Sequence, residues 1–94
     1  MMRSEKEVRN AIQLYGDTVR RVCMVYLKNP TDTEDIFQNV FIKYATRSPQ
    51  FESLEHEKAW IIRVTINECK DFLKSFYKRN IFPTRQSILI NQQT

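Results

Sequence analysis

The sequence predicts an all-α domain, a bundle of three or four helices. Its 94 residues include only one glycine and three prolines, so few positions interrupt regular structure. Three segments carry apolar residues at steps of three and four, which is typical of helices that bury one face. Hydrophobic residues make up 41% of this short chain, which favours a single domain with one core.

The first predicted helix runs from about residue 4 to residue 27. Ser4 and Glu7 have the spacing of a capping box, in which each side chain accepts a backbone N–H from the other residue. Asn29 precedes Pro30 and should end the helix, because a residue before proline avoids the helical region. The apolar stripe of this helix comprises Val8, Ile12, Tyr15, Val19, Val22 and Tyr26.

The second predicted helix begins at Thr31 and ends near Thr46. Thr31 and Glu34 repeat the capping-box spacing. Residues 47–54 then form a predicted loop that contains Phe51. The apolar face of this helix comprises Ile36, Phe37, Val40, Phe41 and Tyr44.

The third predicted helix covers about residues 55–78. Its expected packing seam follows steps of three and four and comprises Ala59, Ile62, Ile66, Cys69, Leu73 and Phe76. The apolar pattern fails beyond Arg79. We therefore expect a helical domain over residues 1–79 and a linker over residues 80–94.

Hydropathy, cysteine content and net charge limit the compartments and the partners to be expected. No run of eighteen apolar residues and no signal-peptide stretch are present, so we expect a cytoplasmic protein without a membrane partner. Cys23 and Cys69 lie far apart among apolar neighbours and are predicted to be buried thiols, not a disulfide. The formal net charge of +4 permits a nucleic-acid partner without requiring one.

Residues for catalysis are missing from this sequence. His56 is the only histidine, and it has no plausible partners for a catalytic triad or a histidine-rich metal site. One glycine cannot form a phosphate-binding loop. Asp32, Glu34 and Asp35 are grouped, but acids in a first helical turn commonly complement the helix dipole. The sequence therefore predicts a binding protein, with no enzymatic activity, cofactor or metal.

Two polar helix faces are candidate binding surfaces. On the second helix, an acid, two amides and an isoleucine share one face, and they could receive a basic partner helix: Asp35, Gln38, Asn39 and Ile42. On the third helix, a basic stripe could contact phosphates: Arg63, Lys70, Lys74 and Lys78. From spacing alone, each surface could equally be an ordinary solvated face.

Two aromatic residues stand near the start of the basic stripe. Phe51 and Trp60 could hold unstacked bases, since aromatic rings beside a basic groove bind single-stranded nucleic acid. Asn67 could contact a base edge. The alternative is core packing for Trp60 and a surface amide for Asn67.

Two long segments carry a resemblance to a known family. Residues 32–41 read DTEDIFQNVF, and residues 59–67 read AWIIRVTIN, followed by DFLK at residues 71–74. These segments resemble region two of the sigma-70 family of RNA polymerase sigma factors, and in particular the extracytoplasmic-function subgroup. The resemblance covers roughly residues 8–79. Asn39 stands where the family usually has Glu, and Ile66 where many members have Arg.

The resemblance implies roles for both faces in transcription initiation. The second-helix face would dock on the clamp helices of the largest subunit of core RNA polymerase. The loop and third helix would recognise the promoter minus-ten element as single strand, on its non-template strand. The implied polymerase-binding residues are Asp35, Gln38, Asn39 and Ile42. The implied DNA-binding residues are Phe51, Lys58, Trp60, Arg63, Asn67, Lys70 and Lys74.

Further expectations follow from the same resemblance. An anti-sigma factor is a plausible partner. The helix-turn-helix domain that family members normally carry would follow residues 80–94, so the chain is expected to be either shortened or a degenerate gene product. Two other interpretations stay open, a helical regulator that binds duplex DNA and an adaptor that binds only protein.

Overall fold

Three α helices form the part of the chain that the structure describes. The computed structural model describes residues 2–80, with side chains for residues 2–77. The helices are α1 (Glu5–Leu27), α2 (Pro30–Arg47) and α3 (Leu54–Asn80), and each packs against the other two. The all-α prediction is confirmed. Nearly all of the predicted linker, residues 81–94, lies outside the described residues.

The predicted capping box at the start of α1 is confirmed. The Ser4 hydroxyl accepts the Glu7 N–H at 3.1 Å, and the Glu7 carboxylate accepts the Ser4 N–H at 2.9 Å. The hydrogen bond from the Ser4 backbone is the largest of the effects that lower the pKa of the Glu7 carboxyl. Two backbone donors that a helix end would leave unpaired are satisfied in this way.

The junction between α1 and α2 differs from the prediction. Lys28 adopts a left-handed conformation with φ 54° and donates its N–H to Met24, which ends α1. The Asn29 side chain accepts the Asp32 N–H at 2.9 Å, and Pro30 occupies the first helical position. The predicted capping box of Thr31 and Glu34 is therefore wrong. Proline is favoured in a first helical position, since its φ is already helical and no N–H is lost there.

Glu34 pairs with α1 instead of capping α2. Its carboxylate lies 2.8 Å from Nε of Arg20, and the Arg20 guanidinium also lies 4.0 Å from the centre of the Phe37 ring. The hydrogen bond from Arg20 lowers the pKa of the Glu34 carboxyl and raises that of the guanidinium. Arg20 thus joins α1 to α2 at the surface.

The core contains the predicted apolar face of α2 in full. All five of its residues are buried: Ile36, Phe37, Val40, Phe41 and Tyr44. From α1, Tyr15 and Val19 of the predicted stripe are buried, together with Ala11 and Cys23. The other stripe residues of α1 are partly buried.

The predicted packing seam of α3 is displaced. The fully buried residues are Ile61, Thr65 and Cys69, and of these only Cys69 belongs to the predicted seam. Ala59 is exposed, and Phe76 is 40% exposed. Thr65 can occupy a core position because its hydroxyl donates to the Ile61 carbonyl at 2.7 Å within the same helix. A pattern built from apolar residues alone passes over such a threonine.

The two cysteines are free buried thiols, as predicted. Burial raises the pKa of Cys23 to about 12, and it also raises the pKa of Cys69. Cys23 of α1 and Cys69 of α3 both belong to the buried core.

One carboxylate links all three helices. Glu57, in the first turn of α3, accepts a hydrogen bond from the Tyr15 hydroxyl of α1 at 2.9 Å and from the Tyr44 hydroxyl of α2 at 2.6 Å. Tyr15 is 6% exposed and Tyr44 is 3% exposed. Burial and the Glu57 carboxylate raise the pKa of Tyr15 to about 12, and the pKa of Tyr44 is raised by the same causes. We call these three residues the Glu57 clamp.

Membrane-spanning helices were expected to be absent. Within residues 2–80, no helix combines the length and the apolar character that crossing a bilayer requires.

Replacing the observed cap of α2 should destabilise the fold. Asn29→Ala removes the acceptor of the Asp32 N–H, and we expect the free energy of unfolding to fall by about 1 kcal/mol. Thr31→Ala alters an exposed residue and should change the free energy of unfolding by less than about 0.5 kcal/mol. Urea denaturation followed by circular dichroism measures both values. An equal cost for the two variants would contradict the observed cap.

Stability should also decrease in alkali. The ordinary pKa values are 9.0 for the thiols and 10.0 for the tyrosines, and the folded state raises them for Cys23, Cys69, Tyr15 and Tyr44. The folded chain therefore binds more protons than the unfolded chain above about pH 9, so the free energy of unfolding falls from there towards pH 12.

A pair of tyrosine variants separates the contribution of the Glu57 clamp. Between pH 8 and pH 12, the free energy of unfolding should fall less in Tyr15→Phe than in the wild type, by on the order of 2 kcal/mol. The reason is that the variant lacks one group whose pKa is raised in the folded state. Tyr77→Phe, at a position 41% exposed, should leave the loss as it is in the wild type. Denaturation series over this pH range test both, and identical slopes for Tyr15→Phe and the wild type would refute the assignment.

Candidate nucleic-acid and polymerase interface

The structure places the four predicted residues of α2 on one exposed face. Asp35, Gln38, Asn39 and Ile42 are all exposed, and their spacing puts them on the side opposite the buried face of α2. Ile42 is 58% exposed, so it offers an apolar contact beside these polar residues. We call these four residues the α2 face. An acid, two amides and an apolar contact there can receive a basic, partly apolar helix.

An open groove borders the α2 face. Its volume is about 310 Å³, and it runs between α2 and α3. Lys43 of α2 and Glu68 of α3 form an ion pair across the two helices, and the Glu68 side chain is only 13% exposed. The residues that line the groove are Asn39, Ile42, Lys43, Thr46, Arg47 and Glu68. The ion pair fixes the spacing of the two helices below the groove.

The basic residues of α3 lie opposite its core side. Arg63, Asn67, Lys70 and Lys74 are exposed and share one face, which we call the α3 stripe. Arg63 follows the buried Ile61 by two residues, or about 200° around a helix. The core therefore leaves this whole face to solvent, and three cations with one amide can follow a phosphate backbone.

Lys58 does not belong to the α3 stripe. It is exposed, but it precedes Arg63 by five residues, which places it about 140° away around the helix. Lys78, which the sequence placed in the same stripe, has no described side chain. A strand that follows the α3 stripe would reach Lys58 only by bending around the start of α3.

Phe51 and Trp60 meet at the start of α3. Their ring centres are 5.7 Å apart, and both rings contact Tyr44, with Phe51 nearly parallel to it at 8°. Both side chains are partly buried and pack against the core. Trp60 therefore packs against the core, as the alternative interpretation of the sequence had it. Part of its side chain also stays exposed, near Arg63. We call this pair, together with Tyr44, the aromatic corner.

Arg3 is a residue of this corner that the sequence reasoning missed. Its guanidinium lies 4.9 Å from the Tyr44 ring centre and 5.0 Å from that of Phe51. No local pattern marks its role in this corner, because its contacts there lie more than forty residues away in the chain. The local signals are its place immediately before the Ser4 cap and its i, i+4 spacing to Glu7.

The site contains no arrangement for metal chemistry among residues 2–77. The described His, Cys, Asp and Glu side chains form no group of three or more that could hold a metal ion.

Comparison with known families identifies the domain. The sequence model described as sigma-70 region 2 matches residues 11–79, from the first half of α1 to the end of α3. The chain belongs to the sigma-70 region 2 family. No curated protein and no solved structure matches the chain.

Family membership gives this region 2 domain its general role. Sigma factors are non-enzymatic initiation factors, and region 2 supports promoter recognition and binding of RNA polymerase. The α2 face, the α3 stripe, Phe51 and Trp60 all fall within the matched range. Arg3 precedes it, so the family pattern does not assign this residue.

Proposed function

We propose that this region 2 domain docks on core RNA polymerase through the α2 face and captures the promoter minus-ten element as single-stranded DNA with the α3 stripe and the aromatic corner. The observation that carries the proposal is the exposure of both sets of motif residues on two separate faces within the matched range. The two motifs also resemble the extracytoplasmic-function subgroup, to which we assign the chain.

The α2 face fits a basic partner helix of the polymerase clamp. Asp35 supplies a negative charge, Gln38 an amide that can donate and accept, and Ile42 an exposed apolar contact at the edge. Asn39 replaces the acid that is usual in the family, so we assign the electrostatic part of docking to Asp35. The groove beside Asn39 and Ile42 gives a partner side chain room to enter between α2 and α3.

The α3 stripe fits the backbone of one DNA strand. Arg63, Lys70 and Lys74 would bind successive phosphates, while Asn67 would reach a base edge between them. Unpairing and flipping a base costs a few kcal/mol, and stacking on an aromatic ring returns on the order of 1–3 kcal/mol per base. Capture of the non-template strand at Phe51 and Trp60 can therefore offset the cost of opening the duplex.

Three further assignments accompany this function. Docking on core polymerase would place the chain in the cytoplasm. Residues 80–94 would lead from region 2 towards a second promoter-reading domain. An anti-sigma factor that covers the α2 face would keep the protein from polymerase, since both partners would need Asp35 and Ile42.

Disrupting the α2 face should abolish polymerase binding. Asp35→Lys with Gln38→Ala reverses a charge and removes an amide, and we expect the Kd for purified bacterial core RNA polymerase to rise about 30-fold or more. Both positions are exposed, so the fold should persist in circular dichroism.

A matched variant on α1 provides the control for docking. Asp17→Lys with Gln13→Ala makes the same chemical changes at two exposed positions of another helix, and it should bind core polymerase as the wild type does. If the folded wild type does not bind core polymerase at low salt, the sigma-factor proposal fails. Equal weakening by both double variants would instead locate docking outside the α2 face.

Charge reversal in the α3 stripe should weaken single-strand binding by the polymerase complex. The probe is a set of 12-nucleotide single strands enriched from a random pool by the wild-type complex. Lys70→Glu with Lys74→Glu should reduce their affinity. The slope of log K against log salt should become less steep by about 0.7 for each phosphate that the variant no longer neutralises.

Two basic residues of α1 provide the matched control for the DNA contacts. Lys6→Glu with Arg21→Glu changes net charge equally at exposed positions, and it should leave the salt slope unaltered. A preference of the wild-type chain for intact duplex over single strand would favour a duplex-binding regulator. Indifference to the Lys70 and Lys74 changes would favour an adaptor that binds only protein.

A further inference from the structure

The segment before α1 is bound to the end of α2 and to the loop that follows. The Arg3 backbone N–H donates to the Ala45 carbonyl at 2.8 Å. The Arg3 side chain is only 13% exposed, which is low for an arginine near a chain terminus. The segment therefore lies against α2 over the same turn from which the loop leaves.

The Arg3 guanidinium donates hydrogen bonds and also lies near two aromatic rings. Nε donates to the Ser48 hydroxyl at 2.6 Å, one terminal nitrogen donates to the Pro49 carbonyl, and the other lies 3.2 Å from the Glu7 carboxylate. Its central carbon is also near the ring centres of Tyr44 and Phe51. A single side chain thus contacts the cap of α1, the end of α2 and the first half of the loop.

The two halves of the loop over residues 48–53 are held differently. The second half is fixed by α3, because the His56 ring accepts the Glu52 N–H at 3.2 Å and the His56 backbone N–H donates to the Ser53 hydroxyl at 3.1 Å. The first half is bonded to α2 through the Ser48 hydroxyl, which donates to the Tyr44 carbonyl, and to Arg3 through Ser48 and Pro49. Phe51 lies between the two halves.

We infer that Arg3 is a positioning residue for strand capture: it fixes the first half of the loop and so presents Phe51 at the aromatic corner. The inference rests on the proposed function for the use of Phe51. Arg3 acts through Phe51, Ser48 and Pro49 and does not itself need to contact DNA.

Lysine can replace only part of what this arginine does. Its ammonium carries the same charge, but it lacks the planar fork that reaches a hydroxyl and a carbonyl together, and it cannot stack flat against a ring. The pair Arg3→Lys and Arg3→Ala therefore separates charge from geometry. Arg9→Ala is the matched control, because Arg9 is a 70% exposed arginine of α1 whose carboxylate partner, Glu5, lies one helical turn away.

The first measurement concerns the loop in the full chain. Trp60 is the only tryptophan, and its ring contacts Phe51, so its fluorescence reports on the aromatic corner. Arg3→Ala should increase quenching of Trp60 by acrylamide, because Phe51 would no longer be held beside the Trp60 ring. Arg3→Lys should give a smaller change in the same direction, and Arg9→Ala none.

The second measurement concerns binding by the complex with core RNA polymerase. For the enriched 12-nucleotide strands, Arg3→Ala should lower affinity about tenfold, roughly the loss of one stacked base. Affinity for core polymerase and for scrambled strands should stay at the wild-type values. If Arg3 only stabilised the fold, Arg3→Ala would lower the affinities for enriched strands, scrambled strands and core polymerase alike. A loss confined to the enriched strands is therefore the decisive result. If Arg3→Ala reduces helix content, Arg3→Lys carries the test.

The outcomes separate this inference from the proposed function. Wild-type affinity and strand preference in both Arg3 variants would overturn the positioning role while leaving the sigma-factor proposal intact. If the wild-type complex enriches no single strand, strand capture fails and the positioning role fails with it. Unchanged quenching of Trp60 in Arg3→Ala would also overturn the inference.

Discussion

The Glu57 clamp is the interaction on which the arrangement of the three helices depends. One carboxylate in the first turn of α3 accepts hydrogen bonds from a buried tyrosine of α1 and a buried tyrosine of α2. Helices that pack only through apolar side chains can slide and rotate, whereas directional bonds to one atom group fix both. Because Tyr44 also contacts Phe51 and Trp60, the clamp also fixes the aromatic corner.

Helix packing determines where the α2 face and the α3 stripe lie. Each helix contributes one face to the core, so the α2 face and the α3 stripe are the polar sides that remain. The Lys43–Glu68 ion pair links α2 to α3 between them. The α2 face and the α3 stripe therefore lie on separate faces of one helical domain.

Much of the fold could be predicted because its determinants are local. The Ser4–Glu7 capping box and the apolar face of α2 depend on residues within a few turns of one another, and the exposure of Asp35 and Lys70 follows from the same periodicity. The predictions were wrong where two capping signals competed and where a polar residue was buried in the core. Pro30 made Asn29 the cap in place of Thr31, and Thr65 entered the core by bonding its own helix.

The sequence by itself determined the helical class, the approximate ends of each helix, the family and the exposure of the α2 face and the α3 stripe. Only the tertiary structure decided that Arg3 meets Phe51, that Glu57 joins Tyr15 to Tyr44, and that Lys58 stands apart from the α3 stripe. The physical reason is the range of the contacts. Periodicity and caps act over a few helical turns, whereas Arg3 and Glu57 have partners about forty residues away in the chain, whose positions depend on how the helices pack.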